Sequence, residues 1–480
     1  MHLHDASSFT PDAVLHISVR NISIGGINRY STLINDSLPA PELRLPEGEV
    51  VWIRVYNDMT DQNTTIHWHG LAQAASPFSD GTPLASQWPI PPQHFFDYEL
   101  QLPNGSAGTY FYHSHVGFQA VTAAGPLIVE DRAAPPYQTD GERTVFVHGL
   151  WNETDAQVEQ GVNDNPLAWP GETNGILING KTISDSGVVD DATAGLAVIE
   201  VDPASTYRLR FVGSTALSYT ALAFEAHGAD VLRVVEADGH YTQPAPAPEG
   251  IIQIGGGQRF SALLDTKSCD ELRDLGRLDF YIQTETRERT YSVTNYAILR
   301  YSADACGSGN STSTDFADPL PTDAYPAQKP IDMPPTINGY LDYALRPLEG
   351  AEAEAGSGFP SAAEVTRRVV LNAQVFEDGY YMWRDSNVSW GDSAAGAGAS
   401  HHTVPYAPYL VGLYRNDTAY LPDYDAAVAN GGVDPRTQTF PARIGEVLEV
   451  VIQNLGADSR TGAAAGLVDV HPFHAHGGHI

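Results

Sequence analysis

Seven of the chain's 17 histidines fall in three short groups, and their spacing is that of metal ligands. His67 and His69 stand in IHWHG, His113 and His115 in FYHSHVG, and His471, His474 and His476 in HPFHAH. Side chains on a β-strand alternate between its faces, so each H-x-H puts both imidazoles on one face. Two such strands side by side would present four nitrogens to a common point, and His474 with His476 would add a third same-face pair. His471 is three residues from His474, an odd offset; in an extended segment it points the other way and serves a different centre. Imidazole-only sets suit copper, zinc, iron or nickel, with copper favoured by intrinsic affinity. A zinc hydrolase normally adds a carboxylate or thiolate, or stops at three histidines. Six same-face histidines exceed what one ion needs and point to a cluster.

The elements that must position these groups read as strands. VLHISVRNISI (14–24), EVVWIRVYN (49–57), GTYFYHSH (108–115), GPLIVED (125–131), RTVFVHGLWN (143–152), TYRLRFVGS (206–214), YSVTNYAILRYS (291–302) and EVLEVVIQN (446–454) are rich in β-branched and aromatic residues. They are short and separated by Pro, Gly, Asn and Asp clusters, as in all-β sandwiches and barrels. Helical periodicity is confined to short pieces such as CDELRDLG (269–276). An internal repeat is visible: GEVVWIRVYN from Gly48 and GEVLEVVIQN from Gly445 each precede a histidine cluster, and a weaker copy at 204–228 keeps only His227. Three related β units fit the length. Breaks fall near AAPPYQTDGE (133–142) and in the Ser/Pro/Asp-rich stretch 306–330. The low-complexity stretches 350–364 and 391–402 read as surface loops, with His401 and His402 solvent-exposed rather than ligands.

Composition narrows the function class. The 480 residues are 42% hydrophobic and 18% charged, and 59 acidic against 26 basic residues leave a formal charge of −33. Such a field repels nucleic acid and anionic membrane surfaces. No stretch approaches the roughly 18–20 apolar residues needed to cross a bilayer, and the N-terminus lacks the apolar core of a signal peptide. Sequons at Asn21, Asn35, Asn63, Asn104, Asn152, Asn310, Asn387 and Asn416 point to a secreted, extracellular glycoprotein. Cys269 and Cys306, 37 apart, are either a disulfide or two unpaired thiols.

IHWHG, TYFYHSHVGFQ and HPFHAHG, together with FSDGTPLASQWPI (78–90) and GPLIVED, resemble three of the four copper-binding motifs of multicopper oxidases. The chain looks most like the laccase-like and ascorbate-oxidase-like members from ascomycete fungi. The resemblance implies an all-β fold of three cupredoxin-like Greek-key β-sandwich domains. These would be residues 1–135 with cluster ligands, 140–305 without copper but with a possible substrate-side surface, and an incomplete 328–480. It also implies four copper ions in the complete enzyme: one type 1, one type 2 and two type 3. His67 and His474 match type 2 ligands; His69, His113, His115 and His476 match type 3 ligands; His471 matches a type 1 ligand. Asp80 resembles the acidic residue near the type 2 copper, where a carboxylate could relay protons, against the plainer reading of Asp80-Gly81 as a turn. Trp68 and Phe473, between ligands, read as packing that shields the cluster. The implied reaction is one-electron oxidation of phenols or similar small reductants coupled to reduction of dioxygen to water. Ferroxidase and ascorbate oxidase are the family alternatives.

The sequence departs from that pattern in three places. The fourth motif, H-C-H-x3-H, does not follow HPFHAHG, and neither Cys269 nor Cys306 is flanked by histidines that could replace it. The expectation is therefore a fragment whose remainder lies on a second polypeptide or is simply missing, against a truncated gene product or a copper-binding protein without turnover. HGGHI stands where the family often reads HGH, and Trp88 occupies a position where many laccases carry a disulfide cysteine.

Overall fold

The structure is a computed structural model that describes residues 9–163, 170–183, 191, 193–289, 291–306, 316–348, 360–377, 381–385, 390–391, 402–403, 407–457 and 470–477. It is dominated by strands, as the sequence predicts. The first unit contains β1 (Ala13–Ile24), β2 (Ile27–Ile34), β3 (Leu43–Pro46), β4 (Val50–Asn57), β5 (Ile66–His69), β6 (Phe95–Gln101), β7 (Gly108–Ser114) and β8 (Ala124–Glu130). They form two four-stranded sheets, ordered β2-β1-β4-β6 and β3-β8-β7-β5. Alternation explains the sandwich: Val51, Ile53 and Val55 of β4 are buried against Trp68 of β5 and Tyr110 and Tyr112 of β7 in one apolar core. Because Ile66, Trp68, Tyr110 and Tyr112 face that core, period two turns His67, His69, Phe111 and His113 to the outer face of the second sheet.

The second unit contains β9 (Gly141–Leu150), β10 (Gly175–Ile178), β11 (Ala197–Val201), β12 (Thr206–Ser214), β13 (Tyr219–Phe224), β14 (Leu232–Ala237), β15 (His240–Pro246), β16 (Ile251–Ile254), β17 (Arg259–Asp265), β18 (Asp279–Arg287) and β19 (Thr294–Tyr301). A six-stranded sheet, β10-β9-β12-β17-β14-β15, packs on a five-stranded one, β11-β19-β18-β13-β16. The short helix Cys269–Leu275 falls where the sequence places it, capped by Ser268 in a capping box with Glu271. Cys269 is disulfide-bonded to Cys306, which resolves the open choice in favour of the bond.

In the third region, β20 (Arg367–Glu377), β21 (Tyr381–Asp385), β22 (Trp390–Gly391), β23 (His402–Thr403) and β24 (Leu448–Ala457) form a three-stranded sheet, β21-β20-β24, and a two-stranded one. Val450 and Leu455 of β24 are 47% and 45% exposed. The sequence repeat has a structural counterpart. The strand carrying each copy, β4, β12 or β24, pairs in parallel with the first strand of its own region: β1, β9 or β20.

Two sequence expectations fail on local geometry. HPFHAHG is not a strand: residues 470–475 have no regular structure, and a turn follows at 476–477. Pro472 supplies no N–H to a ladder, which removes one of the donors a strand there would need. The same-face argument for His474 and His476 therefore does not hold, although their positions below still converge. His115 likewise lies beyond the end of β7, just before Gly117 takes a positive φ of 51°. His401, Asn310, Asn387 and the last three residues of HGGHI lie outside the described residues.

The first two units are clamped by buried charge. Arg29, with a fully buried side chain, donates to Asp155 Oδ1 at 2.6 Å and to the Trp151 and Glu153 carbonyls. Glu236 of β14, also fully buried, accepts from Thr109 N and Thr109 Oγ1 at the head of β7, each at 2.8 Å. It also accepts from Ser261 Oγ and Arg208 Nη2. Burial alone would raise the Glu236 carboxyl; the Arg208 and Arg210 charges, with hydrogen bonds from Ser261 and Thr109, hold it down at about 2. This clamp fixes the start of the strand that delivers His113.

Candidate metal centre

β5 and β7 pair antiparallel with His67 opposite His113 and His69 opposite Phe111, so three of the predicted ligands share one outer face. That face is not left to solvent. Phe111 and Ala124 pack on Phe146 and Val212 of the second unit, and the segment 470–477 closes the remaining side. His67 is consequently only 1% exposed. A cavity of about 310 Å³ is lined by His67, His69, His113, His115, His474 and His476, with Ser214, Ala216, Gly256 and Gly257 from the second unit.

The imidazoles form two overlapping triplets. Ligand nitrogens of His67, His474 and His476 lie within 4.8 Å of one another, and so do those of His67, His69 and His113. His67 belongs to both. Its Nε2 faces the Nε2 of His474 at 3.4 Å. The His69 and His474 rings stack at 3.8 Å, and those of His67 and His476 at 4.1 Å. This grouping cuts across the division implied by the resemblance, which separates His476 from His67 and His474. His115 joins neither triplet but lines the cavity, with its ring 5.6 Å from His67 and 5.4 Å from His476. His471 is in neither triplet and does not line the cavity.

Hydrogen bonds fix which nitrogens are available. A carbonyl only accepts, so His67 Nδ1 carries a proton and donates to Asp80 O at 2.6 Å, leaving the Nε2 lone pair free. His113 Nδ1 donates to Ser114 O at 2.9 Å with the same result. His476 Nδ1 donates to Asp80 Oδ2 at 2.8 Å, and Thr82 Oγ1 donates to that oxygen at 2.5 Å. Burial first, then neighbouring histidines, push His67 well below its ordinary value, and burial with His115 brings His113 to about 3. For His69 the cause after burial is Arg259, and His474 falls to about 4. Five of the six have lowered values and so stand neutral with lone pairs to offer, the state a metal requires.

Asp80 does not line the cavity. It sits behind two ligands, touching His67 through its carbonyl and His476 through its carboxylate. Burial would raise this carboxyl, but the bond to His476 and its charge more than offset that and lower it. Carboxylate and carbonyl partners of this kind orient metal-bound histidines. Asp80 Oδ1 is buried with no hydrogen-bond partner among the described residues. Trp68 is fully buried, as a packing residue should be; Phe473 is 42% exposed and shields less than its position between ligands suggests. Trp88 is exposed, with the Arg415 guanidinium 5.9 Å from its ring centroid.

Sequence reasoning missed the second unit's contribution. Ser214, Ala216 and the Gly256–Gly257 turn wall the cavity; a Cβ on Gly257, whose φ is 91°, would fall 2.9 Å from His69 Cε1. GGGQ in the sequence (255–258) was the available signal.

An all-β protein that gathers six imidazoles under a neighbouring unit is one built to hold first-row transition-metal ions. The chain belongs to the multicopper oxidase family. Two multicopper oxidase family models match it, over residues 16–134 and 142–304. It is 39% identical, over 100% of its length, to laccase-like multicopper oxidase 1 of Thermothelomyces thermophilus, of which it covers 75%. It is 40% identical to multicopper oxidase aurL2 of Gibberella zeae, again over 100% of its own length and 76% of the relative. An L-ascorbate oxidase of Cucumis sativus is 28% identical over 92% of this chain and 72% of its own. The cupredoxin fold is shared with the crystal structure of Fet3p, a multicopper oxidase that functions in iron import, at a TM-score of 0.62 and 20% identity, covering 79% of this chain and 64% of that one. It is shared too with the laccase from Botrytis aclada, at a TM-score of 0.58 and 21% identity, covering 85% and 67%.

Proposed function

We propose that the protein is a secreted, laccase-like oxidase that couples one-electron oxidation of phenols or similar small reductants to reduction of dioxygen. The observation that carries this reading is the pair of imidazole triplets sharing His67. Its donor set suits copper, which the family implies, and His67, His69, His113, His115, His474 and His476 would hold the ions, with His471 serving a separate type 1 centre. Copper bound there supplies the redox chemistry by which four electrons and four protons convert dioxygen to two waters. The type 1, type 2 and type 3 division is part of the proposal. The residues' own work is to present neutral nitrogens, keep bulk water off the outer face of the sheet, and hold imidazole orientation through Asp80 and Ser114. Six sequon asparagines are described and all six are exposed, which supports the extracellular glycoprotein reading. No described helix is long and apolar enough to cross a membrane. The charge of −33 supports a protein that binds neither nucleic acid nor anionic membrane.

The test is oxygen uptake by copper-loaded protein with a phenol, ferrous iron or ascorbate as the only reductant. Copper-dependent uptake fastest with the phenol is expected; preference for iron or ascorbate would move the protein to the ferroxidase or ascorbate oxidase class. Copper bound without any uptake would make it a binding protein.

Asp80 is a positioning residue in this scheme. Asp80→Asn is expected to weaken copper affinity by about 10- to 100-fold, as loss of a ligand's carboxylate partner does, with part recovered in Asp80→Glu. An unchanged copper affinity beside a lowered melting temperature would reduce Asp80 to a turn residue.

A further inference from the structure

Behind His67, the loop 80–86 reaches His476 with a second side chain besides Asp80. Gly81 presses this loop against β5: its φ is 86°, and a Cβ there would collide with Ile66 O. Thr82, the next residue, is bracketed by the buried Ser86. Thr82 N donates to Ser86 Oγ at 2.9 Å, and Ser86 N and Oγ donate to Thr82 O at 3.0 and 3.1 Å. A β-branched side chain on a pinned backbone is stiff at χ1, which leaves the hydroxyl little freedom in where it points. That hydroxyl donates to Asp80 Oδ2 at 2.5 Å, and its oxygen stands 3.0 Å from His476 Nδ1. The His476 Nδ1–H is thus held in a fork between Asp80 Oδ2, at 2.8 Å, and Thr82 Oγ1.

We propose that Thr82 is a positioning residue for His476. Its hydroxyl locks the Asp80 carboxylate with Oδ2 toward the imidazole and closes the fork on Nδ1–H, so that Nε2 is the nitrogen left to bind metal. His476 needs such a hold because its backbone supplies none. His67 and His113 stand on paired strands and donate to main-chain carbonyls. His476 stands in a turn at the end of a segment without regular structure, where no ladder fixes the ring. Side-chain partners must then orient it, and partners of that kind govern how well a histidine serves a metal. The loop of the first unit therefore sets the geometry of a ligand almost 400 residues further along the chain.

The experiment compares Thr82→Val, which keeps the shape and loses the hydroxyl, with Thr82→Ser, which keeps the hydroxyl and loses the methyl. A packing role favours Val; a positioning role favours Ser. Thr82→Ala takes the place of Val if circular dichroism shows Val misfolded. In chelated, metal-free protein with nitrogen-15 histidine, NMR follows exchange of the His476 Nδ1–H with water. The signal is assigned by its loss in His476→Gln. Exchange about tenfold faster than the parent in Thr82→Val, and within about twofold of it in Thr82→Ser, is expected. In copper titrations Thr82→Val should bind about tenfold more weakly, with Thr82→Ser close to the parent. Exchange unchanged in Thr82→Val, or Val closer to the parent than Ser in either measurement, would overturn the proposal. So would a parent Nδ1–H that exchanges as fast as that of free histidine. The affinity arm rests on the copper reading of the cluster, and the exchange arm does not. A protein that bound no copper would refute that reading and leave the exchange rates to decide the role of Thr82.

Discussion

His67→Ala is expected to abolish oxygen reduction and to strip copper from the cluster, with affinity reduced by about 100-fold or more, beyond what loss of a mere orienting partner costs. The reason is topological. His67 alone belongs to both nitrogen triplets, its Nε2 faces His474 Nε2 at 3.4 Å, and its ring stacks on His476 at 4.1 Å. Removing it disables both triplets at once, whereas removing His115, which belongs to neither, leaves both intact. Copper titration of His67→Ala and His115→Ala, with circular dichroism to establish that both fold, checks the ranking. Equal losses in the two variants would show that the triplets do not act as units.

Glu236→Gln is expected to destabilise the protein by about 3 kcal/mol, because it leaves the buried Arg208 and Arg210 charges short of a partner. Glu142, which pairs with Arg210 Nη2 at 2.6 Å, limits the damage. The pH dependence has a definite sign. Glu236 is held at about 2 in the folded protein against an ordinary 4.5, so the unfolded chain takes up its proton first as the medium acidifies. Its stabilisation is present above pH 4.5 and is lost as pH falls toward 2. Glu236→Gln lacks that component, so denaturant unfolding of variant and parent should differ most above pH 4.5 and converge below it. A constant gap across that range would mean the carboxylate is not ionised in place.

The fold was legible because its signals are local. GEVVWIRVYN, TYRLRFVGS and GEVLEVVIQN each carry alternation and a β-rich composition, and each became the strand pairing in parallel with its region's first strand. IHWHG was legible for the same reason: Trp68 alternates with the histidines and takes the core, which forces His67 and His69 outward. HPFHAHG was read as a strand because the pattern of histidines outweighed the proline at 472; of its histidines, His474 and His476 line the cavity and His471 does not. Arg259, Ser214 and the Gly256–Gly257 turn could not be found by spacing. They reach the site only through packing of one unit on another, more than 100 residues along the chain from IHWHG. Asp80 was singled out as a proton relay, whereas its place behind His67 and His476, off the cavity wall, depends on a turn whose hydrogen bonds no motif encodes.

The central claim is that the histidine cluster holds several copper ions on imidazole nitrogen. Elemental analysis of the copper-titrated, dialysed protein, with X-ray absorption at the copper edge, tests it most directly. More than one copper per chain, with scattering from imidazole ligands and loss of that copper in His67→Ala, is the expected result. A single ion or none, or full retention of copper in His67→Ala, would contradict it.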